Sequence, residues 1–179
     1  MRRTIPNEME MCKMKLRPLV QTDAPYMLEW MHDPDVVRDL HTNFAAKTLD
    51  DCKRFIEASH ASGSAVNLAI ADEQTDEYLG TVSLRDINPH SSTAEFAITV
   101  RKCAMGTGAS RDAMREMLRR GHIGLGIKSI FWCVNQKNAR AVRFYDKNNY
   151  QRVTDVPETL RAAYPPMLLP ELIWYCDTE

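Results

Sequence analysis

The chain has 179 residues, 44% of them apolar and 26% charged, a length that suits one globular domain with one core. A formal net charge of −1 leaves no basic excess for holding nucleic acid, and none is expected as a partner. No apolar run approaches the roughly 18 to 20 residues of a membrane span, and residues 1–15 hold no apolar stretch like that of a signal peptide, so a cytoplasmic protein without a membrane partner is expected.

Residues 1–12 are polar and aperiodic and read as a flexible lead-in, with a single domain over 13–179. Lys13 to Arg17 alternates like an edge strand that Pro18 ends. A helix is predicted from about Thr22, an N-cap candidate, carrying Tyr26, Met27, Trp30 and Met31 at helical spacing. Asp33-Pro34 breaks it before a shorter helical piece reaching Leu40. Thr48 opens another helix running to about Ser62, with Phe55, Ile56 and Ala58 as its expected buried residues.

From Val66 the period shortens to two. Val66, Leu68 and Ile70 alternate, a turn covers 72–77, and Leu79 to Arg85 makes a hairpin partner. After a polar loop, Ala94, Phe96, Ile98 and Val100 line one face of a third strand, and Glu95, Ala97 and Thr99 the other. Met114, Leu118, Gly121 and Leu125 then repeat at helical spacing, with Gly124 or Gly126 as the left-handed stop. Ile127 to Val134 is apolar on both faces and belongs inside the sheet, parallel to the preceding strand across a right-handed crossover. Asn138 caps a last helix to about Lys147, Asn149-Tyr150 turns into another strand, and Leu172 to Cys176 is the final one. The proline-rich segment 155–170 gives no clear element.

The five cysteines, at 12, 52, 103, 133 and 176, show no CxxC or Cys/His spacing of a zinc site; they are expected to be reduced, mostly buried thiols, and no metal is expected. The five histidines do not cluster in the sequence.

The segment between Val100 and Ser110 is the informative one. A strand, a short loop with Gly106 and Gly108, and a helix start bring unpaired amides and the positive end of a helix dipole to one place, as an anion site requires. A tight strand-to-helix turn explains the same local spacing. A Walker A loop is excluded because Gly-Lys-Ser/Thr occurs nowhere. A dinucleotide fingerprint is weakened by Arg111 at its third small position and by the missing acid near Val134.

Here the chain resembles the GNAT superfamily of acyl-CoA N-acyltransferases, whose loop reads Arg/Gln-x-x-Gly-x-Gly/Ala. Cys103-Ala104-Met105-Gly106-Thr107-Gly108 matches both glycine positions and departs at the first, where Cys103 replaces the usual phosphate-contacting side chain. Downstream, Val134-Asn-Gln-Lys-Asn138-Ala-Arg-Ala-Val-Arg-Phe-Tyr145-Asp-Lys-Asn-Asn149-Tyr150 is similar to the family's V-N-x-x-N-x-x-A-x-x-x-Y-x-x-x-G-F, with Asn149 where glycine is usual.

The resemblance implies an α+β fold. Its GNAT-like central sheet is mixed and mostly antiparallel, with one splayed parallel strand pair and helices on both faces. It further implies acetyl-CoA as co-substrate, with Ile98, Thr99, Val100, Cys103, Ala104, Met105, Gly106, Thr107, Gly108, Ala109, Arg111 and Asn138 as its binding residues. Tyr145 is then the acid that protonates the departing thiolate, against a plain reading as a core tyrosine, and Asn138 both caps its helix and meets the pantetheine arm. Glu95 is the candidate base for the amine proton, directly or through water, against a reading as a strand carboxylate paired with a neighbouring base or facing solvent. Arg101, Lys102 or Arg111 would compensate for Cys103.

The implied reaction is direct transfer of an acetyl group to a primary amine in a ternary complex. The Trp30-Met-His-Asp-Pro segment and the Ala94-Glu95-Phe96 strand are similar to those of the group that acetylates ribosomal-protein N-termini, a group with small-molecule relatives. The acceptor is thus open among a protein N-terminus, an amino sugar, a polyamine, an aminoglycoside and an amino acid. The alternative is a non-catalytic acyl-CoA-binding module. A homodimer is the expected oligomer on frequency alone.

Overall fold

The structure, a computed structural model, describes residues 13–40 and 42–179; the predicted lead-in over 1–12, with Cys12, and His41 lie outside the described residues. Seven strands form one sheet: β1 (Met14–Pro18), β2 (Val66–Asp72), β3 (Tyr78–Asn88), β4 (Thr93–Val100), β5 (Ser129–Asn135), β6 (Gln151–Val153) and β7 (Leu172–Thr178). Their spatial order is β1-β2-β3-β4-β5-β7-β6, antiparallel throughout except for the pair β4 and β5. The fold expected from the sequence is therefore the one found.

Among the described residues six α-helices accompany the strands: α1 (Ala24–Met31), α2 (Pro34–Val37), α3 (Leu49–Ser59), α4 (Ala109–Arg119), α5 (Ala139–Lys147) and α6 (Glu158–Arg161). Strand side chains alternate between the two faces, so each face needs its own cover. Ile70, Val82, Leu84, Phe96, Ile130 and Trp132 face α4 and α5, where Met114, Met117, Leu118 and Tyr145 complete the main core. On the opposite face Ala69 and Tyr78 meet Met27 and Trp30 of α1 and Cys52 and Ile56 of α3. Phe131 and Trp174 meet Val156 and Leu160 in a third cluster, so the segment 155–170 forms a short helical cover.

Several local expectations are corrected. Thr22 is not a cap: residues 21–23 form a 3₁₀ turn, and Asp23 accepts from the Val20 amide at 2.9 Å while Arg17 holds its two oxygens at 2.8 Å each. Thr48 does cap α3, exchanging hydrogen bonds with Asp51, but the buried residues are Cys52 and Ile56. Phe55 and Ala58 are exposed, because the buried stripe of a short helix against a sheet is narrower than the run of apolar letters. Leu125 is likewise exposed, since α4 ends in a π-helical turn over residues 120–124 that shifts the face by part of a turn; Gly126, at φ +66°, follows it. Asn138 caps α5 through the Ala141 amide, and Asn149 takes the left-handed turn at φ +62°, as expected.

The parallel pair is the feature that positions the site. β4 and β5 are in register only over Thr93–Glu95 and Ser129–Phe131. Beyond Glu95, β4 stays paired with β3 as far as Val100, while β5 stays paired with β7 as far as Asn135. The β5-facing edge of residues 96–100 therefore has backbone groups with no strand against them. Such groups need a partner.

Candidate active site

The loop after β4 begins with a 3₁₀ turn, Lys102–Ala104, and ends at Gly108, which precedes α4. Gly106 and Gly108 have φ of +79° and +92°, backbone conformations that side chains disfavour. A Cβ at Gly106 would meet nothing within 4 Å, so this glycine borders open space. The amides of Gly106, Gly108, Ser110 and Arg111 donate to no acceptor among the described residues, and they gather at the positive end of α4. Backbone amides gathered in this way can accept an anion.

A groove of about 500 Å³ runs from those amides along the free edge of β4 to α5. Of the expected donor-binding residues, Ile98, Thr99, Val100, Met105, Gly106, Gly108, Arg111 and Asn138 line it, together with Tyr145. Cys103, Ala104, Thr107 and Ala109 do not. Cys103 is exposed outside it, Ala104 and Ala109 are buried under the loop, and the Thr107 hydroxyl donates to the Ala104 carbonyl at 2.8 Å. Ala104, Thr107 and Ala109 support the loop's shape.

Two of the cations expected to stand in for Cys103 are used elsewhere. Arg101 is buried and donates to Glu29, Glu77 and the Tyr78 carbonyl, with its guanidinium 4.6 Å from the Tyr26 ring centre. Lys102 pairs with Asp35 at 2.6 Å. Arg111 remains at the groove, its Nε on Asp112 at 2.9 Å. Sequence reasoning missed Arg140, Phe144 and Lys147, which also line the groove; Arg140 donates to Met105 Sδ at 2.9 Å and makes no ion pair among the described residues. Their signal was available: 140, 144 and 147 stand at i, i+4 and i+7 on α5, on the face beside Tyr145.

Tyr145 is 8% exposed, packed among Trp132, Phe144 and Tyr175 at ring-centre distances of 5.6, 5.3 and 5.0 Å. Burial pushes its phenol above the ordinary tyrosine value, and no described residue hydrogen-bonds its hydroxyl. A phenol of this kind stays protonated across the neutral range and keeps its proton available to a ligand.

A second cavity, of about 290 Å³, lies against the other side of β4 beneath α1 and α3. Met27, Trp30, Met31, Phe44, Cys52 and Phe55 give it apolar walls, and Asn67, Thr81, Ser83 and Arg85 of β2 and β3 form its floor. Lys47 and Asp51 stand at it too. Ile98 and Thr99 line both this cavity and the groove, so the two spaces meet at the splayed edge of β4. Phe55, read from the sequence as core, is one of these cavity walls.

Glu95 lines neither space. It is 1% exposed; Oε1 accepts from Arg85 Nη2 at 2.8 Å and from the Tyr164 hydroxyl, and Oε2 is buried without a partner. The structure thus brings Glu95 to Arg85 and Tyr164 and not to the wall of either cavity. The half-buried neighbour Cys133 has its thiol pushed up to about 12 by desolvation. Among the described residues no group of His, Cys, Asp and Glu is arranged to hold a metal.

Residues 13–151 match the family described as acetyltransferase (GNAT) domain. Among curated proteins none matches the chain. Solved structures do. A spermidine N-acetyltransferase from Vibrio cholerae, in complex with CoA and spermine, is similar at a TM-score of 0.75 and 17% identity, over 92% of this chain and 95% of that one. A candidate ribosomal-protein-serine acetyltransferase from the same organism is similar at 0.71 and 13%, over 93% and 94%. A candidate acetyltransferase from T. thermophilus gives 0.72 and 22%, over 98% and 90%.

Proposed function

This chain belongs to the GNAT acetyltransferase family, and on that premise we propose that it moves an acetyl group from acetyl-CoA to a primary amine by direct attack in a ternary complex. The observation that carries the proposal is the meeting of the two cavities at Ile98 and Thr99. One is long and cationic at the end by the loop; the other is small and apolar. A donor and an acceptor seated in them come face to face at one stretch of backbone, which is the geometry direct transfer needs.

In this reading the pyrophosphate rests on the amides of Gly106, Gly108, Ser110 and Arg111, with Arg111, Arg140 and Lys147 supplying the charge that Cys103 lacks. The pantetheine amides pair with the free edge of residues 96–100 and with Asn138. A β4 amide donates to the thioester carbonyl and stabilises the oxyanion that forms there. The neutral amine nitrogen attacks that carbon, the carbon–sulfur bond breaks as Tyr145 gives its proton to the departing thiolate, and the proton that nitrogen sheds on becoming an amide passes through water to return Tyr145 to its phenol form.

The amine arrives neutral. Apolar walls and the Arg85 and Lys47 charges both disfavour the ammonium form, so its proton is lost to water without Glu95. A cavity of about 290 Å³ lies at the small end of ligand sites, which run from about 300 to 1,000 Å³. It holds a small amine or the terminal residue of a chain.

Acetyl-CoA consumption across a panel of amines and peptide N-termini, with isothermal calorimetry of CoA alongside, tests this reading. Turnover of at least one amine is expected. CoA binding without turnover would leave a non-catalytic acyl-CoA-binding module, and failure to bind CoA would sink both readings.

A further inference from the structure

The cavity beneath α1 and α3 has a charge arrangement that the acetyl-transfer reading does not use. Its one carboxylate among the described residues, Asp51, is engaged within its own helix cap: Oδ2 accepts from the Thr48 amide and hydroxyl at 2.8 Å each, and Oδ1 from Arg54. No second carboxylate among the described residues lines the cavity to share a polycation. On the floor, by contrast, Arg85 has a side chain 47% exposed and uses only Nη2 on Glu95 and Tyr164. Its Nε and Nη1 donate to no described residue. Glu95 and Tyr164 act as positioning residues that fix the guanidinium.

From this we infer that the acceptor is an amine with an apolar body and a carboxylate at its far end, and that Arg85 is the residue that binds the carboxylate. The inference rests on the acetyl-transfer reading and adds the class of acceptor. Arg85 stands opposite Glu95 in the β3–β4 register, three residues along β4 from Ile98, where the two cavities meet. Three strand residues span roughly 10 Å, and a flexible arginine shortens that gap by several ångströms. An amine at Ile98 and a carboxylate on Arg85 are thus separated by an apolar spacer, and Trp30, Phe44 and Phe55 supply the apolar contacts. An arginine fork suits a planar carboxylate, and together with Lys47 it repels a second ammonium. The likeness in fold to spermidine N-acetyltransferase therefore does not extend to its acceptor.

The test uses the full chain with acetyl-CoA and three kinds of amine: 6-aminohexanoate and 4-(aminomethyl)benzoate, their carboxylate-free counterparts hexylamine and benzylamine, and spermidine. The carboxylated amines should exceed their counterparts at least tenfold in kcat/KM, mainly through KM, and exceed spermidine by more. In the doubly neutral variant Arg85→Gln/Glu95→Gln, which leaves no buried charge unpaired, the ratio should fall toward one. Equal or better turnover of hexylamine or spermidine overturns the inference and leaves acetyl transfer intact. If no amine turns over, calorimetry decides: binding of 6-acetamidohexanoate at least tenfold tighter than N-hexylacetamide supports the Arg85 site, and equal binding refutes it.

Discussion

Removing the Tyr145 hydroxyl separates a proton donor from a core tyrosine, because the two roles predict different losses. In Tyr145→Phe the ring contacts to Trp132, Phe144 and Tyr175 are kept, and no protein hydrogen bond is lost. Stability should change by less than about 1 kcal/mol, a shift in Tm within about 2 to 4 °C for a domain of this size. Affinity for CoA should stay within about threefold, which is roughly 0.7 kcal/mol. Turnover should fall by about 10²- to 10⁴-fold, the usual contribution of a positioned acid, or roughly 2.7 to 5.4 kcal/mol of barrier. The assay is steady-state acetyl transfer to the best amine of the panel, with calorimetry of CoA and thermal unfolding on the same preparations.

The pH profile gives an independent reading of the same residue. Burial raises the Tyr145 phenol above its ordinary value of about 10, so its ionisation should cause no loss of kcat below that pH. A fall in kcat of less than about fivefold would refute the donor role. A large fall matched by an equal loss of CoA affinity or of Tm would reduce Tyr145 to a structural residue.

Three further outcomes are expected. Gly106→Ala places a Cβ into open space at a φ of +79°, so it should destabilise by about 1 to 2 kcal/mol from backbone strain alone and weaken CoA by more than Tm predicts; calorimetry showing unchanged affinity would remove the loop from the donor site. Cys103→Arg restores the family's usual side chain at an exposed position and should tighten CoA by about 3- to 10-fold by calorimetry with Tm unchanged; unchanged affinity would contradict a shortage of phosphate-contacting charge at this loop. Arg119 and Arg120, hydrogen-bonded to Glu116, hold its carboxyl down to about 2. A lowered folded pKa stabilises above the unfolded value of about 4.3, and this contribution fades as pH falls toward 2. Glu116→Gln should therefore cost stability at pH 7, by under about 1 kcal/mol because the arginines are solvated, and nothing below pH 2; a difference that persists in acid contradicts the assignment.

What local chemistry dictates was legible in the chain itself. Period-two alternation in 66–100 and the apolar run in 127–134 marked the hairpin-linked strands and the interior strand, because a strand's faces are written in alternate letters; the place of β7 between β5 and β6 was not legible there. Thr48 and Asn138 were readable as caps, and Gly106 and Gly108 as the loop, because each meets a backbone requirement within three residues. The motif around Asn138 and Tyr145 located the groove's far wall before any coordinate did.

Only the tertiary structure decided which charges were available. Arg101, Lys102 and Glu95 sit at positions that invite a functional reading, yet each is held by a partner distant in sequence: Glu29 and Glu77, Asp35, and Arg85 with Tyr164. Arg85 itself carried no motif. Its role in the cavity depends on Glu95 lying opposite across the register and on Tyr164 returning from 79 residues away. Sequence spacing states which side chains share a face; the burial and pairing of a charge depend on which elements meet, and they meet only in the folded chain.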